Sequence, residues 1–163
     1  MTRAKTLIVG LGNPILGDDG VGWRVAEAVA AALAEPGDGP APAAEVEVDC
    51  LSLGGLSLME RLIGYERAII VDSIQTTGGE NGAVYRFPLD ALPDRSAGHT
   101  TAAHDTSLQT ALALGHRMGA DLPEEVLIVA VEAERVFDFC DDLSPEVAAA
   151  VPGATRAVLE LLT

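Results

Sequence analysis

Residues Thr6 to Gly22 read TLIVGLGNPILGDDGVG, and this stretch decides the fold. Leu7-Ile8-Val9 is a continuous apolar run of the kind that forms a strand buried on both faces. The run breaks at Gly10 and Gly12, bends through Asn13-Pro14 and turns again at Gly17. Asp18 and Asp19 follow, and from Val21 an Ala-rich segment recurs with helical period. A buried strand therefore ends in a glycine loop, with two acids at the mouth of a helix. One Asp can serve as an N-cap, which its oxygen acceptor and its charge both suit. Two adjacent acids cannot cap the same helix in the same way. The second is then placed above the strand end, where open α/β sheets bind ligands.

Working outward, the chain has 163 residues, enough for one domain, 1–163, with its own core. Hydrophobic residues make up 48% of it, which excludes a disordered chain. The formal net charge is −15, and Lys5 is the only lysine. Such a surface repels phosphate backbones and anionic bilayers, so neither nucleic acid nor membrane is expected as a partner. Cys50 and Cys140 lack C-x-x-C spacing, which points away from a disulfide framework or a zinc site and toward reduced thiols in the cytoplasm. No stretch is long enough for a membrane span, and the apolar run at residue 7 reaches glycine too soon for a signal peptide. A monomer is expected.

The apolar patterning predicts strands over about Lys5–Leu11, Val46–Cys50, Ala68–Asp72, Ala83–Phe87 and Val126–Val131. Val46–Cys50 alternates as an edge or half-buried strand does, whereas Ala68–Asp72 and Val126–Val131 read as fully buried. Helices are expected over about Asp19–Ala34, Leu56–Ile63 and Asp105–Met118. A final helix follows Ser144 as N-cap, with Pro145 at its first position. The loop Gln75–Gly82 is too short for a crossover, so the fourth strand should run antiparallel. The pattern is one α/β/α layered domain around a mostly parallel sheet.

Three residues stand out as candidate ligands. Asp19 follows the first strand, Asp72 closes the third, and His104 precedes the helix after the fourth. If the first and third strands are neighbours, both acids meet at the sheet's carboxyl edge and a helix starting there brings His104 alongside. Two carboxylates and an imidazole suit a borderline divalent metal such as nickel or zinc, with coordination positions left open. Blander roles exist for each: Asp72 as a turn-former, His104 as a helix-start residue, with His99 as a rival in the same loop. His116 falls in a helix's last turn, where it suits the dipole. No G-x-S-x-G elbow occurs, and neither cysteine has an evident base nearby in sequence. A dinucleotide fingerprint fails because Ile15 replaces the third glycine and Asp18-Asp19 would oppose a pyrophosphate.

Taken together, Gly10–Gly22 (GLGNPILGDDGVG), Ile70-Val71-Asp72-Ser73, His104-Asp105-Thr106-Ser107-Leu108 and Leu143-Ser144-Pro145-Glu146-Val147 with Val151-Pro152 resemble, in order, the motifs of the [NiFe]-hydrogenase maturation endopeptidases. The resemblance implies a three-layer α/β/α sandwich of the phosphorylase/hydrolase-like kind, whose five-stranded twisted sheet has strand four antiparallel. It implies a peptidase that removes the C-terminal extension of a [NiFe]-hydrogenase large-subunit precursor after nickel insertion. The metal-contacting roles fall on Asp19, Asp72 and His104, with nickel carried by the substrate and other divalent metals able to occupy the site in isolation. Asp49–Gly55, DCLSLGG, departs from the Asp-Gly-Gly-Thr turn of many members. Two alternatives share these features. One is a non-catalytic nickel-sensing or assembly protein. The other is a peptidyl-tRNA hydrolase, whose opening Gly10–Pro14 also resembles, and against which the −15 charge argues.

Overall fold

A computed structural model of the chain describes residues 4–35, 37–38, 44–91, 103–134 and 138–163, with the backbone alone over 103–107. Five strands form one sheet: β1 (Lys5–Leu11), β2 (Glu45–Leu51), β3 (Arg67–Ile74), β4 (Val84–Pro88) and β5 (Glu125–Glu132). The order across it is β2-β1-β3-β5-β4. β1 pairs in parallel with β2 and β3, β3 pairs in parallel with β5, and β4 alone is antiparallel. The expected sandwich and the reversed fourth strand are both present. The short loop after β3 sends the chain back down beside β5 because no crossover fits within it.

The side-chain alternation of the strands builds two cores. Leu7, Val9, Ala68, Ile70 and Ile128 face α2 (Gly55–Leu62) and α3 (Ala103–Arg117), which pack on one another. Ile8, Ile69, Val71, Val129 and Val131 face α1 (Val21–Ala34) and α4 (Pro145–Glu160). β2 is an edge strand, half-exposed along its length, as its alternation predicts.

α1 lies unusually near the sheet. A Cβ on Gly22 would run into the carbonyl oxygens of Leu11 and Val71, and one on Gly10 would strike Gly22 and Ala26. Glycine at both positions lets the first turn of α1 sit against β1 and β3 with only backbone between them.

Two local expectations change. The sequence starts the first helix at Asp19, but a 3₁₀ turn, Gly17–Gly20, comes first and α1 begins at Val21. Neither acid caps α1, whose N-cap residue is Gly20. Glu132, one residue beyond the expected end of the fifth strand, is the last residue of β5 and is fully buried.

Candidate active site

The site is built from the end of β1. Gly12 takes φ +130°, a conformation that favours glycine, and its amide donates to Leu51 O across 3.2 Å. Ser52 Oγ donates to Gly12 O at 2.6 Å, so β2 holds the loop from one side. The Asn13 amide donates to Asp19 Oδ2 at 2.9 Å, and the Leu16 amide to Asn13 O at 3.1 Å. The loop thus closes over β1 with the Asp19 carboxylate folded back on its own start.

Asp18 points elsewhere. Its two carboxylate oxygens accept from the Ser144 amide at 2.7 Å and from Ser144 Oγ at 2.8 Å. Ser144 occupies the N-cap position of α4, yet its side chain makes no cap bond to that helix. It donates to Asp18 instead. Around this pair, Cys140 and Asp141 are stitched to the same loop and to α1. Gly17 N donates to Cys140 O (2.6 Å), Cys140 N to Ile15 O (2.9 Å) and Arg24 Nη2 to Asp141 O (2.9 Å).

Asp72 lies two residues before the end of β3, paired with Ala130 and one step beyond the Val71–Gly10 pair. It is 3% exposed, and its Oδ1 accepts from the Ser73 amide at 2.8 Å. A residue inside a strand is not a turn-former, so that reading of Asp72 falls. By alternation Asp72 shares the face of Ile70 and Ile74, which looks toward α3. The 3₁₀ turn bearing Asp19 touches β3 directly. The two acids therefore stand at the adjoining carboxyl ends of neighbouring central strands, as the sequence reading required.

His104 is the second residue of α3, and its side chain lies outside the described residues, as do all of His99 and the side chain of Ser107. The backbone still fixes which end of the sheet it serves. The segment after α3 reaches the amino edge, where Gly64 N donates to Asp121 O and Glu124 N to Glu66 O. Gln109 Nε2 reaches Leu89 O, beside the amino end of β5. His104, five residues before Gln109, is about 7 Å further along the helix toward the carboxyl edge.

Sequence reasoning missed Glu132. It is 2% exposed, at the carboxyl end of β5. Its carboxylate accepts from Thr76 Oγ1 (2.5 Å) and Thr76 N (3.1 and 3.2 Å). Gly79 packs where any Cβ would collide with that carboxylate, and Gly82 N donates to Glu132 O. The loop after β3 is wrapped around one buried acid. Its only sequence signal is an acid ending a buried apolar run, the same signal as Asp72.

Other chemistries are disfavoured by the same geometry. Asp49, the acid near the end of β2 that a dinucleotide site would use for the ribose, is instead engaged by Arg61 Nε at 3.1 Å and by the Cys50 amide. Burial, then the charges of Glu27 and Asp49, push the Cys50 thiol up to about 11, which makes it a poor nucleophile at neutral pH. Among the described residues no helix is long and apolar enough to cross a membrane.

Comparison with known proteins identifies the family. The family model described as HycI, hydrogenase maturation protease, matches residues 23–161, which include Asp72 and His104 and start just after Asp19. The hydrogenase expression/formation protein HoxM of Azotobacter vinelandii is 29% identical over 162 residues, covering 99% of this chain and 74% of HoxM. HupD of Thiocapsa roseopersicina is 26% identical over 160 residues, covering 97% of this chain and 67% of HupD. Among solved structures, the [NiFe] hydrogenase maturation protease HybD from Thermococcus kodakarensis has the same fold, with a TM-score of 0.70 at 24% identity, covering 98% of this chain and 99% of HybD. The E. coli maturating endopeptidase HybD also has a TM-score of 0.70, at 23% identity, covering 97% of this chain and 91% of its own. With a family model spanning most of its length and relatives aligned along nearly all of it, the chain belongs to the hydrogenase maturation protease family.

Proposed function

We propose that this chain is an endopeptidase that removes the C-terminal extension from a [NiFe]-hydrogenase large-subunit precursor, and that it does so after nickel has been inserted. The carrying observation is the pair of acids, Asp19 and a buried Asp72, delivered by separate elements to the adjoining ends of β1 and β3. Ligands drawn from distant elements leave an open site, which suits reading a metal that arrives on a substrate better than caging one. Nickel enters as part of the precursor. Asp19, Asp72 and His104 contact it, since carboxylate and imidazole oxygens and nitrogens are ligands this metal accepts. The contacts orient the precursor so that the bond to be cut lies over the carboxyl edge, beside the Glu132-held loop. The protein acts as a monomer in the cytoplasm, where its precursor is made.

The test is incubation with nickel-loaded and nickel-free precursor, followed by intact-mass measurement. Loss of the extension from the loaded form alone is the expected result. Equal cleavage of both forms refutes nickel reading. Nickel-dependent binding without mass loss would instead make the protein a sensing or assembly factor. A peptidyl-tRNA hydrolase is disfavoured by the net charge of −15.

A further inference from the structure

We propose that Asp18 is a positioning residue that holds Asp19 in place through the far end of the domain. The inference rests on the reading of Asp19 as a site residue. Asp18 and Asp19 are adjacent in a four-residue 3₁₀ turn, so one cannot move without the other. Each carboxylate has a different anchor. Asp19 takes the Asn13 amide, six residues back in its own loop. Asp18 takes both the amide and the hydroxyl of Ser144, 126 residues away. Two bonds from one residue to both oxygens of one carboxylate fix its plane, and charge-assisted bonds of this kind are the stronger class. The negative charge also stands at the N-terminal end of α4, where the helix dipole favours it.

Ser144 gives up its own capping bond to make this contact. α4 is therefore started by an acid from the other end of the chain, and that acid is gripped in return. The flanking bonds run the same way, tying residues 140 and 141 to Gly17, Ile15 and Arg24. The result is a latch whose moving part would be the turn that carries Asp19. Asp18 touches neither precursor nor nickel. It acts through Asp19, so losing it should misplace a ligand rather than remove one.

The test is amide hydrogen exchange of the whole protein by NMR, for wild type, Asp18→Ala, Ser144→Ala, Ser144→Thr and the double alanine variant. The readout is the Asn13 amide, whose acceptor is Asp19 Oδ2, set against core amides such as Val129. Under conditions where exchange reports local opening, Asp18→Ala should speed Asn13 exchange by about tenfold or more relative to the core, the loss of a charge-assisted bond. Ser144→Ala, which keeps its amide, should do so by roughly threefold. Ser144→Thr should match wild type, and the double variant should not exceed Asp18→Ala. If Asn13 and Val129 speed up together, or Asn13 does not change, Asp18 is a stability element only and the proposal fails. Should Asp18→Ala not fold, Ser144→Ala against Ser144→Thr decides alone. Precursor cleavage by the same variants gives a second reading: kcat should fall while KM changes less than about twofold. A wild type that cleaves no nickel-loaded precursor would refute the proposed function, and the Asn13 amide would still decide the role of Asp18.

Discussion

Replacing Gly22 with alanine tests how the site is seated. In an exposed helix interior, glycine to alanine stabilises by about 1 kcal/mol. At Gly22 the added methyl meets Leu11 O and Val71 O, with Leu11 N at 3.1 Å. All three are backbone atoms of central strands, so no rotamer change relieves them. α1 would have to lift away from β1 and β3, loosening Val21, Val25, Ala26 and Val29, all fully buried. Overpacking of this kind costs about 3 kcal/mol, and after the propensity gain the net loss is about 2 kcal/mol. For a chain of this size that lowers Tm by roughly 4–8 °C. Gly153→Ala is the matched control: it lies within α4, and a Cβ there meets nothing within 4 Å. It should stabilise by up to about 1 kcal/mol. Urea melts with unchanged m-values, read beside calorimetry, give both numbers. Precursor cleavage by Gly22→Ala, measured well below its Tm, should also fall, because lifting α1 drags the turn bearing Asp19. A neutral or stabilised Gly22→Ala beside a stabilised Gly153→Ala would refute the close approach of helix and sheet.

Asp19→Asn keeps the acceptor for the Asn13 amide and removes the charge. Processing of the precursor, read as a size shift, should collapse while the thermal melt changes little; full processing would remove Asp19 from the site. His104→Ala should abolish processing and His99→Ala should not, and the reverse pattern would exchange their roles. Glu132→Ala strands the Thr76 amide and hydroxyl, and should cost about 3 kcal/mol and open the loop after β3 to limited proteolysis; an intact loop would show that its glycines suffice. The Cys50 thiol, raised from 9.0 to about 11, should react with iodoacetamide at pH 8 about a hundredfold more slowly than an unperturbed thiol, while exposed Cys140 labels first. Because the fold disfavours the Cys50 thiolate, its contribution to stability is complete below pH 9 and declines as the pH rises toward about 11.

The central strands were legible because burial on both faces leaves a continuous apolar run, as in Leu7-Ile8-Val9 and Ile69-Ile70-Val71. The direction of β4 was legible because chain length alone forbids a crossover between Ile74 and Val84. Asp72 was legible as an acid closing a buried apolar run, and Asp19 as an acid in the glycine loop that follows one. What escaped was anything decided at long range. The 3₁₀ turn looked like a capped helix start because Asp18 carries the local signal of a cap, while its actual partner is Ser144. Glu132 fell just outside the expected strand because an acid ends the apolar run there, and its compensation by Thr76 comes from 56 residues away. The order β2-β1-β3-β5-β4 likewise depends on which faces the helices cover, which periodicity does not encode.

The placement of β5 and α4 sets an order of assembly on the ribosome. Among the described residues β4 pairs in the sheet with β5 alone, and β3 remains an edge strand until β5 is made. A nascent chain stopped before residue 125 can build β2-β1-β3, but Asp72 then lies on an open flank. One stopped before residue 144 has Asp18 with nothing to bind. Both acids are synthesised early and are fixed late, by the last strand and the last helix. The edge of the sheet that carries Asp19 and Asp72 is thereby completed only once the last strand and the start of the last helix have been made.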